Sequence, residues 1–363
     1  MDIYKGSLPE LGFTIFLFLA LPVEGAPLYT LTNLGYMYGG APTAINNKGQ
    51  VTGYNRSTYR DGFLYDSGIF THLGSISHHN QTVARDINDG GQIIGYSGSA
   101  FLYENSAITD LGIGVGSLAM GINESGQIVG SIGPHTDHHA FVYQNGSATD
   151  LGTLGGNYSR AYAINESGQI VGFSNDIIGG NLHAFLYDNN TMFDLGVPDS
   201  FTASIAKDIN DSGQVIVHAS SVGNNESFLY ENGVMNALGT LGSNYSNAAA
   251  INNSGQIVGN SSDTNGNIFA FLYEDQQMLP LVDLILEENL LGWSSILDAS
   301  DINDFGQIIG IGTYNGQQTG FLLTLYDENN PPSKPIPEPT TLVLMGIGLA
   351  GIGYKQHRSK MAA

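Results

Sequence analysis

Nine residues, Ile164-Asn165-Glu166-Ser167-Gly168-Gln169-Ile170-Val171-Gly172, return almost unchanged along the whole chain. A polypeptide built this way must fold by stacking copies of one small unit. Seven copies begin at Ile45, Ile87, Ile122, Ile164, Ile209, Ile251 and Ile302, spaced 42, 35, 42, 45, 42 and 51 residues apart.

Each copy reads as two strands and a tight turn, because β-branched residues flank a centre of turn chemistry. Asn165 can bond its own backbone two residues on, and Gly168 supplies a positive φ without steric cost. A third strand follows as Phe63-Leu64-Tyr65, Phe101-Leu102-Tyr103, Phe141-Val142-Tyr143, Phe185-Leu186-Tyr187, Phe228-Leu229-Tyr230, Phe271-Leu272-Tyr273 and Phe321-Leu322-Leu323. A polar turn such as Gln144-Asn145-Gly146 then leads to a fourth, Asp150-Leu151-Gly152, echoed at Leu73, Asp110, Asp194 and Leu238.

Four short antiparallel strands in roughly 40–45 residues make one propeller blade. The expected fold is therefore all-β, a seven-bladed β-propeller over residues 26–326. The last repeat stops at Tyr326 without its fourth strand, whereas Leu28 to Gly35 looks like a fourth strand with no blade before it. Pairing that N-terminal strand with the strand of Phe321 closes the ring. Small residues such as Ala161 and Ala163 suit an innermost strand crowded around the axis, with Tyr162 and Ile164 facing the neighbouring blade. Val217 replaces the glycine of the other copies, which calls for a local adjustment and not a lost blade.

Composition narrows the function classes. A net charge of −22, from 33 acidic and 11 basic residues, argues against nucleic acid as a partner, since neutralising its phosphates takes an excess of clustered Lys and Arg. With no cysteine there is neither a disulfide framework nor a thiolate site.

The two ends differ from the repeats. Residues 1–25 read as a signal peptide: Lys5, an uncharged apolar run from Leu11 to Leu21, then Val23 and Gly25 at small-residue spacing. Residues 327–336 form a proline-rich linker that cannot join a sheet. In 337–363, Pro337-Glu338-Pro339 precedes an apolar run from Thr340 to Tyr354, expected as a C-terminal transmembrane helix, and a basic tail of Lys355, Arg358 and Lys360. An apolar helix stopped by positive charge is a stop-transfer arrangement; 15 residues make it a short, transient membrane anchor.

These three parts, in this order, resemble the PEP-CTERM sorting signal of exported bacterial proteins. The resemblance implies processing near Pro337-Glu338-Pro339 by an exosortase, a membrane cysteine transpeptidase, and delivery to the cell surface or extracellular matrix. The repeats also resemble the HAF family of extracellular repeats, spelt here by His139-Ala140-Phe141 and His183-Ala184-Phe185. Asp61-Gly62-Phe63 and Glu226-Ser227-Phe228 depart from that spelling.

Candidate chemistry is sparse. Asp86-Ile87-Asn88-Asp89, Asp208-Ile209-Asn210-Asp211 and Asp301-Ile302-Asn303-Asp304 resemble the opening of a calcium loop but lack its closing bidentate Glu. Turns capped by Asn explain them better. Asp86, Asp208 and Asp301 remain the candidate axial ligand-binding residues, placed to hold a cation or sugar hydroxyls at an acidic channel mouth. The histidines at 78, 79, 135, 138 and 139 have no diagnostic metal spacing. No nucleophile elbow or phosphate-binding loop occurs. The insertion from Leu279 to Leu291, beside the single Trp293, is expected to form a short amphipathic helix and to break the ring's symmetry. Neither catalytic residue, cofactor nor metal is expected. The leading expectation is a non-enzymatic structural or binding module at the cell surface or in the biofilm matrix; the alternative is a lectin or carbohydrate-active enzyme using one face, with extracellular polysaccharide as its partner.

Overall fold

Antiparallel hairpins form where the repeat puts turn residues between β-branched runs. In the repeat around Ile122 the strands Leu118–Ile122, Ile128–Ile132, His139–Gln144 and Ser147–Gly152 pair in sequence order into one sheet. The first turn of the next repeat shows its chemistry: Asn165 N–H donates to Gln169 O at 3.0 Å, and Gly168 N–H returns to Asn165 O at 3.0 Å. Gly168 has φ +81°, which an L side chain adopts only with strain. The computed structural model describes residues 27–56, 60–76, 81–133, 137–176 and 180–328.

Among these residues the strands form six hydrogen-bonded sheets, five of four strands and one of eight. The eight-stranded one is two such units joined by a single parallel pair, Asn225 with Tyr245. The first strands, Ala41–Ile45, Val83–Ile87, Leu118–Ile122, Gly155–Ile164, Ala203–Ile209, Gly242–Ile251 and Trp293–Ile302, each contact the first strand of the next unit, and the last contacts the first. The core therefore lies between sheet faces. One such layer packs Val129 and Ala140 against Ala161, Ile164, Ile170 and Phe185 of the following sheet. Burying a phenylalanine such as Phe185 contributes about 2–3 kcal/mol.

Every first strand carries a bulge, and this corrects strict alternation along it. The pairing skips Thr43, Arg85, Met120, Tyr162, Lys207, Ala249 and Ser300, each the residue between two paired positions. Ala161 is fully buried, while Tyr162 is the extra, half-buried residue. Opposite the bulge the second strand needs glycine, since a Cβ on Gly172 would collide with the Arg160 carbonyl. Val217 is nevertheless accommodated: fully buried, it pairs with Ala206 and Phe228.

The N-terminal strand Tyr29–Tyr36 pairs with Gln317–Leu325 of the last repeat, Leu31 opposite Leu323 and Tyr29 opposite Leu325. The insertion braces this seam, and not as the single amphipathic helix expected. It forms two short 3-10 turns, Leu281–Leu284 and Glu287–Asn289. Leu281, Leu284 and Ile285 are buried with Tyr29 and Ile296, Leu286 N–H donates to Tyr29 O at 3.0 Å, and Leu31 N–H donates to Asn289 Oδ1 at 3.2 Å. A longer helix would pull these leucines off the N-terminal strand.

Two compact units divide between Leu325 and Tyr326. Residues 1–25, expected to be a signal peptide, and the apolar run from 340 to 354, expected as a transmembrane helix, lie outside the described residues, as do Pro337, Glu338, Pro339, Lys355, Arg358 and Lys360. Among the described residues no helix is long and apolar enough to cross a membrane.

Candidate functional site

The seven Asn turns meet around one opening, a cavity of about 240 Å³. Each turn asparagine is buried and serves two repeats. Asn165 accepts from Gln169 N–H at 2.9 Å, donates to Gln169 Oε1 at 2.9 Å, and donates from the same Nδ2 to the Asn210 carbonyl of the next repeat at 3.1 Å. The same relay runs from Asn46 to Asn88, Asn123, Asn165, Asn210, Asn252 and Asn303, and Asn303 returns to the Asn46 carbonyl at 2.9 Å.

A second relay lies just outside it. The backbone N–H of each residue after the asparagine donates to the side chain of its counterpart in the next repeat, for example Glu124 to Glu166 at 2.7 Å and Glu166 to Asp211 at 2.9 Å. It too returns, from Asp304 to Asn47 at 2.9 Å. Asn47 and Asn253 each also place an amide between two carboxylates. The mouth is acidic, and its oxygens serve the relay; among the described residues no group of three or more His, Asp or Glu could hold a metal ion.

Asp86, Asp208 and Asp301 sit one residue before the motif isoleucine, where other repeats have Ala44, Gly121, Ala163 and Ala250. Each carboxylate clips two repeats. Asp86 accepts from Ile87 N–H at 2.8 Å and from Ile122 N–H of the next repeat at 2.9 Å; Asp208 does the same with Ile209 and Ile251, and Asp301 with Ile302 and Ile45. Enclosure by protein pushes the pKa of Asp86 up to about 6 and that of Asp208 up to about 7, and raises that of Asp301 well above the usual range. Their mutual repulsion adds to Asp208 and Asp301, so the three charges sense one another.

That electrostatic state makes a pH prediction. Protons bind these carboxyls more tightly in the folded than in the unfolded chain, so their contribution is full below about pH 4 and is lost as pH rises through 6–7. His218 opposes this, since burial lowers its pKa to about 4 and folding then resists its protonation as pH falls below about 6.5. Three carboxyls outweigh one imidazole. Calorimetry is expected to give a higher Tm at pH 5 than at pH 8; a Tm rising across that interval would contradict the assignment.

Further out, the histidine of the His-Ala-Phe copies has a partner that sequence reading missed. His139 Nδ1 lies 2.8 Å from Asp150 Oδ2, and His183 Nδ1 2.8 Å from Asp194 Oδ2. The other oxygen of each aspartate accepts from Gly152 or Gly196 N–H at 2.7 Å. In another repeat Ser99 bonds Asp110 in the same way at 2.7 Å. The signal was present as an 11-residue spacing between His and Asp in both copies. His78, His79 and His135 lie outside the described residues.

Comparisons with known proteins agree with the strand pattern and with the C-terminal sequence. Residues 335–358 match the PEP-CTERM protein-sorting motif, and residues 149–237 match a family described as a protein of unknown function, DUF3466. No curated protein matches the sequence. A crystal structure of RRP9 WD40 repeats is similar with a TM-score of 0.53 at 12% identity, covering 83% of this chain and 99% of that one. A structure of U3-55K gives 0.51 at 10% identity, covering 83% and 100%. This likeness shows the fold: an all-β chain of the propeller type. The chain spans 63% of a TolB structure from Acinetobacter baumannii and 56% of a puromycin-hydrolysing peptidase from Mycobacterium tuberculosis, at TM-scores of 0.41 and 0.47 and identities of 10% and 8%. The PEP-CTERM motif marks the chain as an exported protein of the exosortase-processed kind.

Proposed function

We propose that this chain is a closed, seven-bladed propeller carried to the cell surface or extracellular matrix, where it acts as a structural or binding module and not as an enzyme. Export rests on the sorting motif at residues 335–358. Closure is supported by the asparagine relay, which returns to Asn46 from Asn303. On this reading the blades are HAF-type repeats, Pro337-Glu338-Pro339 is the processing site, and the apolar run before Lys355, Arg358 and Lys360 holds the protein briefly in the membrane. The motif residues join repeats to one another, which is scaffold work, and Asp86, Asp208 and Asp301 belong to it as clips. Their backbone donors occupy the oxygens that a ligand would need.

Cell fractionation tests the export reading. Deleting residues 337–360 is expected to release the protein into the medium or periplasm, and undiminished surface retention of the deletion would overturn it. A lectin is the second reading, favoured by the unpaired cations described next; turnover of an exopolysaccharide by the purified chain would replace both with an enzyme.

A further inference from the structure

Six of the 11 lysines and arginines fall among the described residues, and four of them converge: Arg60, Arg85, Arg160 and Lys207. Arg85 and Lys207 are two of the bulge residues on the first strands, which adjoin one another around the middle of the fold. Arg85 as a residue is exposed, while its guanidinium senses Tyr54 and Arg60 of one repeat and Tyr162 and Arg160 of another. Its charge is thus coupled to groups of two other repeats. Enclosure there lowers the pKa of both Arg85 and Lys207.

Their partners are aromatic. Lys207 Nζ lies 5.4 Å from the centre of the Tyr162 ring, Arg60 lies 5.9 Å from Tyr54, and Arg160 lies 5.9 Å from Tyr158 while donating to its hydroxyl at 2.8 Å. Among the described residues none of the four forms a salt bridge, although acids outnumber bases three to one in the chain. Arg160 Nε is buried with no hydrogen-bond partner. Cations placed near one another without carboxylates repel, and a fold with acids to spare gains by pairing them. Leaving guanidinium donors open beside phenol faces and hydroxyls is the arrangement that receives a planar oxyanion attached to a hydroxyl-rich body.

We propose that Arg85, Arg160 and Lys207, with Tyr158 and Tyr162, form a binding site for an oxyanion, and that its source is the carboxylate of a uronic-acid oligosaccharide. The choice of a sugar rests on the extracellular reading above. Inorganic phosphate or sulfate offers the same chemistry without the sugar, so the experiment carries both.

Isothermal titration of the full-length chain with oligogalacturonate, a neutral oligosaccharide of equal length, phosphate and sulfate tests the site. Oligogalacturonate is expected to bind, the neutral sugar not to, and binding to weaken between low and high salt. Arg85→Met and Lys207→Met, assayed separately, are each expected to weaken it by roughly tenfold to a hundredfold, the effect of one charge-assisted hydrogen bond. Their Tm should stay level or rise, because each removes an unpaired cation; Arg160→Gln gives a third, independent variant. Variants that bind as tightly as the parent, or a parent that binds no anion, would overturn the site. Binding of phosphate or sulfate without oligogalacturonate would overturn the sugar assignment. The export reading fails in cell fractionation and this site fails in solution, so the two failures are separable.

Discussion

Asn165→Ala is expected to lower stability by about 3–5 kcal/mol, since it deletes three hydrogen bonds at a buried position, takes the acceptor from Gln169 N–H and the donor from Gln169 Oε1, and leaves the Asn210 carbonyl with Gly213 N–H alone. Calorimetry should show Tm falling by about 5–10 °C. The effect is large for one surface-proximal turn because the asparagine serves two repeats at once. A purely local turn residue would cost no more than about 1 kcal/mol, as a helix cap does, and a loss that small would mean the relay adds nothing to cohesion. Asn165→Asp makes the argument sharper. It keeps the acceptor for Gln169 N–H but cannot donate to the Asn210 carbonyl, so most of the loss should persist.

Removal of residues 27–36 is the second large effect. The N-terminal strand supplies the fourth strand of the last sheet, and Tyr29 within it is fully buried in the same apolar cluster as the insertion. Tyr29→Ala alone should lose about 3–5 kcal/mol; the whole strand removes most of the roughly 5–15 kcal/mol that holds a domain folded. The truncated chain is expected to lose its cooperative thermal transition and to bind a hydrophobic dye. A truncation that melts like the parent would show that the seam is ornamental. Tyr29→Phe has the opposite sign. The Tyr29 hydroxyl is buried without a partner, and burial raises its pKa, so its removal should leave stability equal or about 1 kcal/mol higher.

Much of this architecture could be read from the repeat, because its turn chemistry is local. Asn and Gly at fixed places define a hairpin whatever surrounds it, and the orphan fourth strand before Gly35 found its place opposite Leu323. What escaped is what depends on a neighbour. A bulge that inserts Tyr162 or Lys207 leaves no mark on the alternation of apolar residues, and the pairing of His139 with Asp150 is visible only once two strands lie side by side. The insertion misled for a related reason: its leucine spacing suits a helix, but Leu281, Leu284 and Ile285 are fixed by Tyr29, which lies some 250 residues earlier. The three aspartates were visible as departures from Ala or Gly; that their oxygens bind the next repeat's backbone was not. The cations were each visible too, and only the fold brings them together.

The chain enters its first strand at Tyr29 and leaves its last at Leu325, and these two residues face each other across one strand pair. Mechanical load between the two ends would therefore fall on a single point of the molecule. Pulled apart there, antiparallel strands unzip bond by bond and do not shear, so the weakest direction of the whole fold is the line joining its own termini. A protein held by its C-terminal side and pulled through ligand in its middle never loads that line, whereas one stretched end to end would yield there first.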